Sequence, residues 1–100
     1  MCHREIIKKK NYKFEYSNLG HGAYMVSSNA GSWSNKDTSK NNKVMAFEFY
    51  EGDKIHMHVD MATKKVTFNR NQGANTYELS FDTIDGDKLY PCALFYFNND

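Results

Sequence analysis

The sequence predicts an all-β fold, an antiparallel β-sandwich built by one domain over residues 1–100. Three observations lead there. Apolar and polar residues alternate at period two through most of residues 44–81, and stretches rich in Gly, Asn and Asp interrupt the alternation at intervals of about ten. Nowhere do apolar residues recur at helical spacing over ten or more positions. One hundred residues suit one domain, since domains usually run to roughly 100–150. Seven Phe and seven Tyr can furnish its core, each large apolar side chain contributing roughly 1.5–3 kcal/mol when buried.

Taken in order, the first third is the least regular. Residues 5–8 read as a strand, 12–16 alternate weakly, and AYMVSS at 23–28 reads as a further strand. NAGSWSNKDTSKNN at 29–42 is too polar and too rich in Ser, Asn and Gly to be regular for most of its length. VMAFEFY at 44–50 places Met45, Phe47 and Phe49 on one side of a half-buried strand, and Ala46, Glu48 and Tyr50 on the other. A turn at Glu51-Gly52-Asp53 follows. KIHMHVD then sends Ile55, Met57 and Val59 to one face and His56 and His58 to the other. MATK at 61–64 makes the next turn, Val66 and Phe68 point inward, and NRNQG at 69–73 has the composition of a tight connection. Tyr77, Leu79 and Phe81 mark another strand. Residues 82–88 form a polar loop, and LYPCALFYF at 89–97, apolar on both faces, reads as a strand covered on both sides or as one lining an interface.

Charge and composition narrow the function. Thirteen Lys and Arg against twelve Asp and Glu leave a net charge of +1, without the basic excess that phosphate binding requires, so nucleic acid is not an expected partner. No stretch approaches the roughly 20 apolar residues that span a bilayer, so no membrane span is expected. Two cysteines, Cys2 and Cys92, no Asn-x-Ser/Thr sequon and a polar start point to an intracellular, reducing compartment, the cytoplasm.

Each candidate constellation has a plainer reading beside it. His56 and His58 share one face of a strand, a geometry zinc accepts, but neither His3, His21, Cys2 nor Cys92 stands at a recognised ligand spacing from them. An exposed polar sheet face is the preferred reading, and no metal or other cofactor is expected. Asp82, Asp85 and Asp87 around Gly86 lack the spacing and closing glutamate of a calcium loop and read as a turn. Ser27, Ser28, Ser32 and Ser34 near His21 lack the elbow of a serine nucleophile, so no catalytic residue is assigned and the chain is not expected to be an enzyme. The basic run Lys8-Lys9-Lys10 reads as a solvated edge. Trp33, the single tryptophan, is either a cover for one end of the core or a binding aromatic.

Four blocks in order, GAYMVSSNAGSWS at 22–34, FEFYEGDKIHMHVD at 47–60, KKVTFNRN at 64–71 and KLYPCALFY at 88–96, resemble successive blocks of the SPRY domain family. The most specific phrase is Gly52-Asp53-x-Ile55, then Val59-Asp60, Val66-x-Phe68 and Asn71, closed by Leu89-Tyr90-Pro91. The resemblance implies a concanavalin-like jelly-roll sandwich without a catalytic centre, used to recognise or scaffold a partner protein through loops at one end. In this chain that loop material is 29–42, with Trp33 as anchor and Asn35, Lys36 and Asp37 beside it as partner-binding residues. It also implies that the chain matches about the last two thirds of a family domain. On that expectation it is either part of a longer polypeptide or a chain whose open edge a neighbouring chain completes. The competing reading is a carbohydrate-binding sandwich in which Trp33 and nearby Asn side chains meet a sugar.

Overall fold

The computed structural model describes residues 1–13, 18–83 and 88–93. Among them the chain is mostly β, in antiparallel sheets. Strand β1 (Cys2–His3) pairs with β8 (Leu89–Tyr90). A second sheet runs β2 (Met25–Val26), β3 (Asn29–Trp33), β4 (Lys43–Glu48), and a third runs β5 (Ile55–Asp60), β6 (Lys65–Arg70), β7 (Thr76–Ser80). A short helix, α1 (Arg4–Lys9), and a 3-10 turn at Thr38–Lys40 complete the elements.

The third sheet follows the period-two pattern closely. Met57 lies opposite Phe68, which lies opposite Tyr77, and Val59, Val66 and Leu79 form the next row. These rows face inward, and because the period is two, a one-residue slip of any strand would turn its apolar set to water. Phe47 from β4 and Tyr24 beside β2 meet Val66, Phe68, Leu79 and Phe81 in one buried cluster, with Phe49, Val26 and Leu89 packed against it. Between the sheets the Ser32 hydroxyl donates to the Tyr77 hydroxyl at 2.8 Å.

The connections explain why the strands stop where they do. Gly52 takes φ +90°, a left-handed conformation that favours glycine, and Asp53 accepts the Tyr50 N–H at 2.8 Å. Asp60 closes the next turn by accepting the Ala62 and Thr63 N–H groups at 3.0 and 3.2 Å. Asn71 and Gln72 both take positive φ in the tight turn after β6.

Four expectations are corrected. Residues 5–8 lie in α1, not in a strand: Glu5 in the first turn and Lys8 and Lys9 in the last suit the helix dipole, and Ile6 packs onto Gly22, where any Cβ would come within 2.9 Å of its Cγ2. Adjacent β-branched Ile6 and Ile7 give a strand-like local signal that this packing overrides. The polar stretch 29–42 holds β3 and the 3-10 turn. Gly31, Ser32 and Ser34 are buried, small enough for a strand flanked on both sides by neighbours. Only Met25–Val26 of residues 23–28 is strand, because Ser27–Ala30 turns the hairpin, with the Ser27 N–H donating to Gly31 O at 2.9 Å and the Ala30 N–H to Ser27 O at 3.0 Å. Of the described residues 89–93 the strand takes Leu89–Tyr90, and Pro91, lacking an N–H, cannot continue a ladder. Residues 94–97, most of the weakly alternating 12–16 and Asp85 to Asp87 lie outside the described residues.

Cys2 and Cys92 form a disulfide, their Cα atoms 6.1 Å apart, within the ordinary span for such a bond. The sequence reading, which took both as thiols of a reducing compartment, did not anticipate it. Among the described residues no helix is long and apolar enough to cross a membrane.

Phe81, 1 % exposed and in edge contact with Tyr24, closes the core beyond β7. Phe81→Ala is expected to cost about 3–5 kcal/mol, read as a lowered urea midpoint, whereas exposed His58→Thr should stay within about 0.5 kcal/mol. A small effect at Phe81 would show that the core does not close there.

Candidate functional site

Trp33 is the last residue of β3, so it stands on a strand and not free in a loop. Ser32 faces inward to Tyr77, so alternation turns Gly31 and Trp33 to the outer face of the sheet. Cross-strand pairing puts Met25 opposite Trp33 and Val44 opposite Gly31, which makes Val44 the diagonal neighbour of the indole. The ring lies back over Gly31: a Cβ there would sit 3.2 Å from Trp33 Nε1 and would collide with Ser27 Oγ. The result is a half-buried tryptophan between Met25 and a valine that is 79 % exposed, on a sheet whose strand β4 pairs on one side among the described residues.

The following loop is held from within. Ser34 Oγ accepts the Lys36 and Asp37 N–H groups at 3.2 and 3.0 Å, and Asp37 accepts the Ser39 N–H at 2.9 Å to cap the 3-10 turn. Hydrogen bonds from Ser39 hold the Asp37 carboxyl below the usual carboxylate range. Asn35 Oδ1 accepts the Gly22 N–H at 2.7 Å, and the Lys36 ammonium pairs with Asp82 at 3.0 Å on the surface. Of the four residues expected to meet a partner, Asn35 and Asp37 therefore shape the loop, while Lys36 is exposed and Trp33 supplies apolar area.

Beneath the loop lies His21, 1 % exposed. Its Nδ1 accepts the Ala23 N–H at 3.1 Å, which leaves the proton on Nε2 to be donated to Asn41 Oδ1 at 2.8 Å. Asn41 Oδ1 also accepts the Ser34 N–H at 3.2 Å, so one neutral imidazole tautomer ties residues 21–23 to both ends of the loop. Burial pushes the His21 pKa below its ordinary 6.5, with the Asn41 bond acting in the opposite sense. Nothing in the sequence marked His21 and Asn41 as partners, because they are twenty residues apart in polar surroundings.

The residues that carry the family-like phrase have structural tasks here. Asp53 accepts from Arg70 Nε at 2.8 Å and from Asn71 Nδ2 at 2.9 Å, and Asn71 Oδ1 accepts the Lys54 N–H at 2.7 Å. These bonds, the Asn71 one foremost, hold the Asp53 carboxyl below its usual range. Arg70 also lies 5.3 Å from the Tyr50 ring centroid. The turns before β5 and after β6 are thereby locked together.

His56 and His58 stand exposed on the outer face of β5, opposite Asn69 and Thr67. His3 is buried elsewhere against the Tyr24 hydroxyl at 2.9 Å, and His21 under the loop, so the structure does not gather the four histidines. Among the described residues no three His, Cys, Asp or Glu side chains group as metal ligands would. Ser27 bonds to Asn29 Oδ1 at 2.6 Å and Ser32 to Tyr77 at 2.8 Å.

No known family model matches the chain, and no solved structure matches it.

Two measurements test this geometry. Gly31→Ala is expected to lift the indole from the sheet, seen as a red shift of the single-tryptophan emission and faster iodide quenching, and unchanged emission would refute the packing. Because the folded-state pKa of His21 is depressed, its contribution to stability is complete above pH 6.5 and is lost as pH falls below it. The Met1 amine, lowered by burial from 8.0 to about 6, titrates in the same sense, so the comparison is between chains. His21→Gln is expected to flatten the fall in unfolding midpoint between pH 7 and 5 (about one His titration range), and parallel curves would count against the tautomer assigned.

Proposed function

We propose that the chain is a noncatalytic interaction module with a SPRY-like jelly-roll arrangement, which recognises or scaffolds a partner protein through Trp33 and the loop that follows it. The observation that carries this reading is the apolar surface of Trp33, Met25 and Val44 on the outer face of a sheet. An aromatic anchor ringed by polar groups is the usual centre of an interface, and here Lys36 and Asp37 stand at its rim. The internally braced loop supports it further, since a surface ordered before binding loses less entropy on association. Pairing of β4 along its open side with a strand of a neighbouring chain belongs to the same proposal, because Val44 would then be covered. Placement inside the cell is the remaining part of the reading, and the Cys2–Cys92 disulfide weighs against it.

Crosslinking with mass spectrometry in native material tests the proposal at Lys36, Lys40 and Lys43. Links from these lysines to one distinct protein are expected. Trp33→Ala should abolish them while changing the unfolding midpoint little. Persistence of the links in Trp33→Ala, or glycan binding that depends on Trp33, would sink the protein-partner reading.

A further inference from the structure

A second surface stands apart from the Trp33 face and does not depend on it. Residues 4–13 hold five of the thirteen cationic side chains, Arg4, Lys8, Lys9, Lys10 and Lys13, and one of the twelve acidic ones, Glu5. The rest of the chain therefore carries more acids than bases. Positive charge is concentrated on α1 and the turn that ends it.

Beside α1 lies a recess of about 560 Å³ whose lining, among the described residues, includes Arg4 and Lys8 and no carboxylate. Its walls carry two tyrosines, Tyr12 and Tyr90, respectively 71 % and 41 % exposed, and apolar surface comes from Ile7 and the Cys2–Cys92 disulfide. Arg4 is aimed by Tyr90: its Nη1 donates to the phenol oxygen at 3.4 Å, and the guanidinium carbon lies 5.7 Å from the ring centroid. Tyr12 is placed by a costly turn. Asn11 and Tyr12 take φ of 54° and 60°, and their N–H groups return to Lys8 O and Ile7 O, both at 3.0 Å. Two consecutive non-glycine residues in the left-handed region are strained, and such conformations concentrate at ligand-holding sites.

We propose that this recess binds an acidic peptide segment of a partner protein, a carboxylate meeting Arg4 and Lys8 while an adjacent apolar side chain rests between Tyr12, Tyr90 and Ile7. The chemistry favours a peptide over a polynucleotide. Six helical residues span about 9 Å, room for one or two anionic groups, and beyond α1 the excess of acids would repel a longer run of phosphates. An apolar floor beside paired cations suits a side chain next to a carboxylate.

The test is fluorescence anisotropy of the intact chain at low salt with a labelled peptide of glutamates around one leucine, its glutamine analogue, and an oligothymidylate of equal charge. Binding of the glutamate peptide is expected, with none of the glutamine analogue. Exposed Lys8→Glu should weaken it at least about tenfold, the loss of a charge-assisted contact, and Tyr12→Ser should weaken it without any change of net charge. Lys43→Glu, on β4, should leave it unchanged, and all three variants should keep the wild-type far-UV circular dichroism. Equal binding by Lys8→Glu, an equal loss in Lys43→Glu, or tighter binding of the oligothymidylate would each overturn the proposal.

Discussion

The Tyr24 side chain is wholly buried at the place where the three sheets meet, and its hydroxyl cannot be left without partners there. It bonds to His3 Nε2 at 2.9 Å, on β1, and accepts the Asp82 N–H at 3.2 Å, just past β7. Its ring meets His3 and Phe81 edge-on, with centroids 5.4 and 6.2 Å apart. Its main chain is engaged as well, the N–H donating to Met1 O at 2.7 Å and the carbonyl accepting from the Met1 amine at 2.8 Å. One residue thus fixes the spacing of β1, the start of β2 and the exit of β7. Burial raises its pKa above the ordinary 10.0, so at neutral pH the phenol is a neutral hydrogen-bonding group.

Given that junction, polar side chains do the work that loops leave to water in larger proteins. Ser32, Ser34, His21 and Asn41 are all buried, and each is bonded to main chain or to another side chain. A small domain has little apolar surface to spare. Satisfying these groups internally lets β3, a strand of mostly small and polar residues, stand between two others. The Asp53, Arg70 and Asn71 node does the same for two turns.

How much of this was legible depends on whether the cause was local. Met57, Phe68 and Tyr77 could be placed because the period of two repeats with one face apolar, and Gly52, Asp53, Asp60 and Asn71 because turn chemistry is short-range. α1 was missed because Ile6 and Ile7 bear a strand-like signature and the Gly22 cradle that receives Ile6 is fifteen or more residues away. β3 was missed because its small residues signal a loop unless the flanking strands are known. At the site, Trp33 was legible as a rare residue. Gly31 beneath it and Val44 beside it were not, since their importance comes from cross-strand register. His56 and His58 were legible as an outward face from alternation alone.

The β1–β8 ladder has only two residue pairs, Cys2 with Tyr90 and His3 with Leu89, too few to hold strands together unaided. The disulfide adjoins it and closes a loop of ninety residues, a link that in the chain-entropy account stabilises by roughly 4–5 kcal/mol. It also contributes lining to the basic recess, beside Arg4 and Tyr90. The compartment in which the chain works therefore matters to its surface as well as to its stability. Where thiols are kept reduced, β8 would be retained, among the described residues, by two ladder pairs, the Arg4 contacts with Lys88 O and Tyr90, and the packing of Leu89 on the core, and the wall that Tyr90 supplies to the recess would lose its covalent tie. Where disulfides persist, that wall is covalently tied to the strand that reaches Tyr24.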